Sequence, residues 1–140
     1  MESLGLLVGH LVGDYILQND WMASNKTNPL CRNVAYDHSS KTTPFRAEMM
    51  GHLACTVHCL LYTLAVWACS FWWMPWWGLL VCFVTHWPID RFRLARFWMM
   101  RVSGQQAFAT GPLSPWSIII VDNVAHILTL FVIGCVHFYC

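Results

Sequence analysis

Three pairs of side chains in this sequence are of the types that bind metal ions: His10 with Asp14, His86 with Asp90, and Asp122 with His126. Within each pair the residues stand four apart, so on a helix they project from one face, one turn above the other. Imidazole nitrogen and carboxylate oxygen are the usual ligands of zinc, iron and manganese, and a pair at i and i+4 can clamp one ion. His58 brings the donor set to His10, Asp14, His58, His86, Asp90, Asp122 and His126. That is enough for one or two divalent ions, in the manner of di-metal four-helix bundles, although those use Glu and His. Ions held this way activate water, and His86, Asp90 and Asp122 are the expected catalytic residues. Arg91 and Arg93 follow directly and offer guanidinium groups to an anionic head group, with Asn123 as a further polar contact.

The elements that must position these residues are membrane helices. Of the 140 residues 57% are apolar and 11% charged, nine are tryptophan, and the mean hydropathy is +0.47. Soluble domains carry roughly a quarter charged residues. Residues 1–140 therefore read as one integral-membrane domain, all-α, with about four transmembrane helices near 3–18, 47–74, 76–98 and 115–139. All eight Lys and Arg fall within 26–46 and 91–101. Such clustering marks loops on the cytoplasmic side, here 19–46 and 99–114, and puts both termini on the other side. It also argues against nucleic acid as a partner. Trp72, Trp73, Trp76 and Trp77 around Pro75 suit an aromatic belt at the far interface.

Finer features add detail. Gly5, Gly9 and Gly13 form a small stripe that lets a neighbouring helix come close. Pro88 lies between His86 and Asp90, where it removes a backbone bond to Val84 and predicts a kink. Ser114 with Pro115 reads as a helix cap and first turn. Most of the seven cysteines sit in apolar runs as small hydrophobes, and Cys69, Cys135 and Cys140 fall toward the far face, where a bridge is one alternative. The N-terminus lacks the basic start of a cleaved signal.

The topology drawn from Lys, Arg and Trp brings all seven donors to a similar depth on the cytoplasmic side. Ionisable groups in hydrocarbon cost roughly 2.5–3.5 kcal/mol each on insertion scales, so they need partners, water or metal. The alternative is that each pair is only a hydrogen-bonded contact that fixes helix packing. His52 is left at the rim, and His38 and His137 outside the cluster.

Several stretches carry a resemblance: His10-Leu-Val-Gly-Asp14 running into Leu17-Gln18-Asn19-Asp20-Trp21-Met22-Ala23, His58 with Tyr62, and Thr85-His86 through Ile89-Asp90-Arg91-Phe92-Arg93. Gly111-Pro112-Leu113-Ser114-Pro115-Trp116 through Asp122-Asn123 to His126 completes it. The chain resembles small integral-membrane proteins of bacteria and their phages that are classed as a domain of unknown function. The resemblance implies a multi-helix membrane fold with these His and Asp residues and brings no settled activity. The polar insert at 27–49 looks peculiar to this member. A looser similarity is to inner-membrane proteins described as metal-dependent hydrolases.

These features lead to an expected membrane-embedded, metal-dependent hydrolase. It would act on a lipid or phosphate-bearing substrate at the cytoplasmic leaflet, in a bacterial inner membrane of a host or phage-infected cell. The alternative is a metal or proton transporter, or a phage factor that alters the host envelope without catalysis.

Overall fold

A computed structural model describes residues 2–27, 44–70 and 73–139, and every regular element in them is helical. Helix α1 (Glu2–Leu11) runs on into a π turn over Val12–Ile16. The chain then breaks, and Asn19, whose side chain accepts from the Met22 amide at 2.9 Å, caps a short helix α2 (Asp20–Asn25). The expected loop at 19–46 therefore begins with a helix. Residues 28–43 of that loop, His38 and most of the insert among them, lie outside the described residues.

Helix α3 (Pro44–Cys69) starts earlier and ends sooner than the expected 47–74. Pro44 is suited to a first helical position, where its missing N–H is no loss. At the other end the Ser70 hydroxyl donates to the Trp67 carbonyl at 2.8 Å, and Pro75 holds an extended conformation ahead of α4 (Trp76–Phe92).

The third expected helix, 76–98, is not continuous. Pro88 is accommodated inside α4, and the break comes at Arg93, whose left-handed backbone (φ 51°, ψ 51°) separates α4 from α5 (Leu94–Phe97). A π turn over Trp98–Val102 and helix α6 (Gln106–Thr110) then occupy much of the expected 99–114 loop. Helix α7 (Trp116–Tyr139) starts directly after Pro115, close to the expected 115–139.

Glycine decides how α1 meets α3. A Cβ at Gly9 would stand 2.6 Å from the Val66 Cα and one at Gly13 2.7 Å from the Tyr62 ring, while one at Gly5 would collide with the Cys69 carbonyl. The stripe at 5, 9 and 13 is thus the surface on which α3 lies, and α7 closes the other side of α1. The far half of the bundle is apolar, built around Leu6, Val66, Met74, Leu130 and Ile133. Cys69 and Cys135 are unpaired, and Cys140 lies outside the described residues.

Besides the apolar core, the buried residues include several polar and charged ones, and many large apolar side chains are exposed. His10, His58, His86, His126, Asp90 and Arg91 are buried, whereas Leu53, Leu60 and Leu64 on α3 and Val124, Leu128 and Phe131 on α7 are exposed. Among the described residues two helices are long and apolar enough to cross a membrane, over Phe45–Cys69 and Trp116–His137. The other two expected spans are shorter: Leu4–Ile16 is a short apolar helix, and the 17 residues of α4 give about 25 Å at 1.5 Å per residue, under a ~30 Å hydrocarbon core.

Candidate functional site

Asp90, one turn from the end of α4 and almost fully buried, is the centre of the site. Its Oδ2 lies 3.0 Å from His58 Nε2 and 3.2 Å from His86 Nε2, and the two imidazole nitrogens are 3.1 Å apart. Its Oδ1 turns the other way, 3.6 Å from His126 Nε2, which in turn lies 3.5 Å from Asp122 Oδ2. Asp14, carried on the π turn, places Oδ1 at 3.3 Å from His58 Nε2 and 3.6 Å from His86 Nε2. Asp14 Oδ1 and His126 Nε2 are buried without a hydrogen-bond partner among the described residues. Four helices thus deliver six of the seven donors to one region.

Among the described residues three triads have ligand atoms within 4.8 Å of one another: His58/His86/Asp90, Asp14/His86/His126 and Asp90/Asp122/His126. The first is the tightest. Sides of 3.0, 3.1 and 3.2 Å define a triangle with all corners about 1.8 Å from its centre, less than the ~2.0–2.2 Å of zinc bonds to His and carboxylate. One ion could therefore be held by all three atoms.

The aromatic surroundings fix this geometry. The His86 ring contacts both the Tyr62 ring at 3.8 Å and the His126 ring at 3.9 Å, the latter nearly parallel at 19°. Tyr62 follows His58 by one turn, a spacing that sequence alone could have used to place it.

His10 does not join the triads. Its Nε2 meets Asn123 Oδ1 at 2.8 Å, and its Nδ1 faces the Tyr62 hydroxyl at 3.0 Å and Asp14 Oδ2 at 3.3 Å. With both nitrogens engaged, its place is beside the ligand set, where it orients Asp14. Asn123 is similarly occupied: its amide donates to Tyr15 and to the Ile119 carbonyl.

Arg91 corrects the sequence reading more sharply. Its side chain is wholly buried, pairs with Glu48 on α3 and donates to the Lys26 carbonyl at 3.3 Å, so it fastens α2 to the bundle and is not presented to a ligand. Gly51 makes room for it, since a Cβ there would stand 2.5 Å from its Nη1. His52, at the rim, stacks on Trp87 and sits 3.3 Å from Glu48.

Lys26 is the residue that sequence reasoning missed. At the C-terminal cap of α2, it reaches inward to place Nζ 2.7 Å from Asp90 Oδ2 and 3.2 Å from His58 Nε2. Burial pulls the ammonium pKa down, but the Asp90 and then the Asp14 carboxylates outweigh it and hold the group above the ordinary lysine value. The Asn19-Asp20 cap signal foretells α2; nothing local foretells where its last side chain goes.

Beside the donor set opens a cavity of about 300 Å³, lined by Asp14, Asp90 and Asp122 and also by Lys26, Arg93 and Arg96. Arg93, expected as an anion contact, is therefore on the cavity wall. The left-handed backbone at its own position is an unusual conformation for a non-glycine residue.

Neither curated proteins nor solved structures offer a match to this chain. A family model does, over residues 4–139, and the chain belongs to that family, a protein of unknown function (DUF3307).

Proposed function

We propose that this chain is a membrane-embedded, metal-dependent hydrolase that acts on a phosphate-bearing substrate at the cytoplasmic leaflet. The observation that carries the reading is the His58/His86/Asp90 triangle, whose sides match the spacing of ligands on a single divalent ion. Asp90 turns its second oxygen toward His126, and Asp90, Asp122 and His126 would be the residues to hold a second ion. Nitrogen and oxygen donors without thiolate suit zinc, iron and manganese. A divalent ion in such a site polarises a phosphoryl oxygen and lowers the pKa of bound water.

The chain's own residues supply the rest. Asp122, partly open to the cavity and paired with His126, is placed to accept a proton from water. Arg93, also on the cavity lining, holds the anion. His10 and Tyr62 keep Asp14 and His86 in register.

Membrane placement rests on the exposed apolar faces of α1, α3, α4 and α7 around a polar interior. In this reading α1 and α4 span with α3 and α7, the polar groups at their ends being buried against the other helices, and the Arg-rich α4–α5 end faces the cytoplasm. Transport is disfavoured because the cluster abuts a packed apolar layer of Leu6, Val66, Met74, Leu130 and Ile133.

The test uses protein purified in detergent, stripped of metal and titrated with Zn²⁺, Mn²⁺ or Fe²⁺. Stoichiometric binding lost in His86→Ala and Asp90→Asn supports the centre. Turnover of none among phospholipids, lipid diphosphates and soluble phosphoesters with any of these ions contradicts the hydrolase.

A further inference from the structure

The lining of the cavity beside the donor set is of two chemical kinds. Lys26, Arg93 and Arg96 stand there with three carboxylates, and Ile89 of α4 with Pro115, Ile118 and Ile119 where α7 begins adds apolar surface. A free phosphate would use the first kind and leave the second without a partner. An amphiphile uses both.

Size narrows the occupant. About 300 Å³ lies at the lower end of the range for small-molecule pockets, enough for a head group and too little for acyl chains. The tail must therefore lie outside the cavity, on an apolar surface next to it. Such a surface is present: Phe92, Leu94, Phe97 and Trp98 on the α4–α5 side, and Leu113, Trp116 and Ile120 on the α7 side, are all exposed and all within three positions of lining residues. A tail leaving between α4 and α7 would pass directly from Ile89 and Ile118 into lipid.

Charge narrows it further. Arg93 and Arg96 stand three apart, one on the left-handed residue and one within α5, and both line the cavity. Two guanidinium groups suit a compact anion with several exposed oxygens. A phosphomonoester or diphosphate meets that description, whereas a zwitterionic choline diester spreads its charge over a bulkier head. Arg96 has no role in the donor set, in contrast to Lys26, which is paired with Asp90.

We infer that the site takes the terminal phosphate of a lipid phosphate or diphosphate, held by Arg93 and Arg96, with its hydrocarbon chain leaving between α4 and α7 into the bilayer. The inference deepens the hydrolase reading and rests on its membrane placement and its anion-holding wall. It does not require turnover or a bound ion.

Binding to the full-length protein, purified in a phosphate-free detergent and treated with EDTA, tests it separately from catalysis. The probes are dioleoyl phosphatidic acid, dioleoyl phosphatidylcholine, dioleoylglycerol and glycerol 3-phosphate. The expected result is saturable binding of phosphatidic acid, at least tenfold tighter than that of any other probe. Arg96→Gln should weaken it at least tenfold and Arg96→Lys by less, while Ile120→Glu, on the exposed apolar surface outside the cavity, should weaken phosphatidic acid but leave glycerol 3-phosphate unchanged. Equal affinity for glycerol 3-phosphate would assign the site to a soluble phosphate and overturn the proposal, as would phosphatidic acid binding insensitive to Arg96→Gln or absent from folded protein. Hydrolysis failing while this binding pattern holds would remove the proposed chemistry alone.

Discussion

Replacing Lys26 with Met removes a cation from the edge of the proposed metal site, and the size of the effect follows from distances. Nζ is 2.7 Å from Asp90 Oδ2, and an ion bonded to that oxygen at about 2.1 Å lies no farther than about 4.8 Å from Nζ. At that separation a single and a double positive charge repel by about 1.7 kcal/mol in water-like surroundings and about 7 kcal/mol at an effective dielectric of 20. Swinging Lys26 aside avoids the repulsion but breaks its pair with a buried carboxylate, a cost of similar sign. Taking the smaller figure as a floor, Lys26→Met should bind Zn²⁺ roughly twentyfold more tightly. The metal-free variant should also be less stable, because Asp90 loses its ammonium partner, and the gain in Tm on adding metal should exceed that of the parent protein. Competition with a fluorescent chelator gives the affinity, and thermal unfolding in detergent gives the second readout. Unchanged or weaker Zn²⁺ binding in a folded variant would refute the reasoning, since the ammonium would then not compete for the ion's position.

Other outcomes follow from the same geometry. Because Lys26 is held above its ordinary pKa of 10.5, its ion pair contributes fully below that value and is lost as pH rises through the higher folded value. The stability difference between parent and Lys26→Met should thus be flat from pH 6 to 9 and shrink only above about 10.5, as measured by unfolding midpoints across pH. Glu48→Ala leaves Arg91 buried without its carboxylate; with Glu48 itself 40% exposed, the expected loss is about 2 kcal/mol, read from denaturant unfolding. Gly9→Val places methyl groups against the Val66 backbone and should cost at least 1–3 kcal/mol as α1 is pushed from α3, seen as a lowered Tm. Removing metal with EDTA should lower the Tm of the parent protein and leave that of His86→Ala unchanged.

The features that sequence made legible are those set by local periodicity. His86 and Asp90 share a face because α4 is helical there, and the glycine stripe announced a close helix contact without saying that the partner would be α3. The helix break was legible in kind but displaced in position: Pro88 stays within the helix, and the turn is made at Arg93, whose left-handed backbone no residue preference predicts. Arg91 and Arg93 look equivalent in sequence, yet Arg91 is still on α4 and buried against Glu48, while Arg93 leaves the helix in a left-handed conformation and lines the cavity. His10 has the right type and spacing for a ligand, but partners from α3 and α7 take both its nitrogens. Lys26 lay hidden for the same reason: its reach to Asp90, sixty-four positions away, is a tertiary fact.

The central claim is that His58, His86 and Asp90 hold a divalent ion. X-ray absorption spectroscopy at the zinc edge, on full-length protein loaded with one equivalent of Zn²⁺, tests it most directly. The account predicts nitrogen and oxygen scatterers at about 2.0–2.2 Å with the multiple-scattering signature of two imidazoles, one of which is lost in His86→Ala. Sulfur scattering near 2.3 Å would place the ion on buried thiols such as Cys55 and Cys59, and a spectrum of hexa-aqua zinc would mean that the protein holds none; either result contradicts the account.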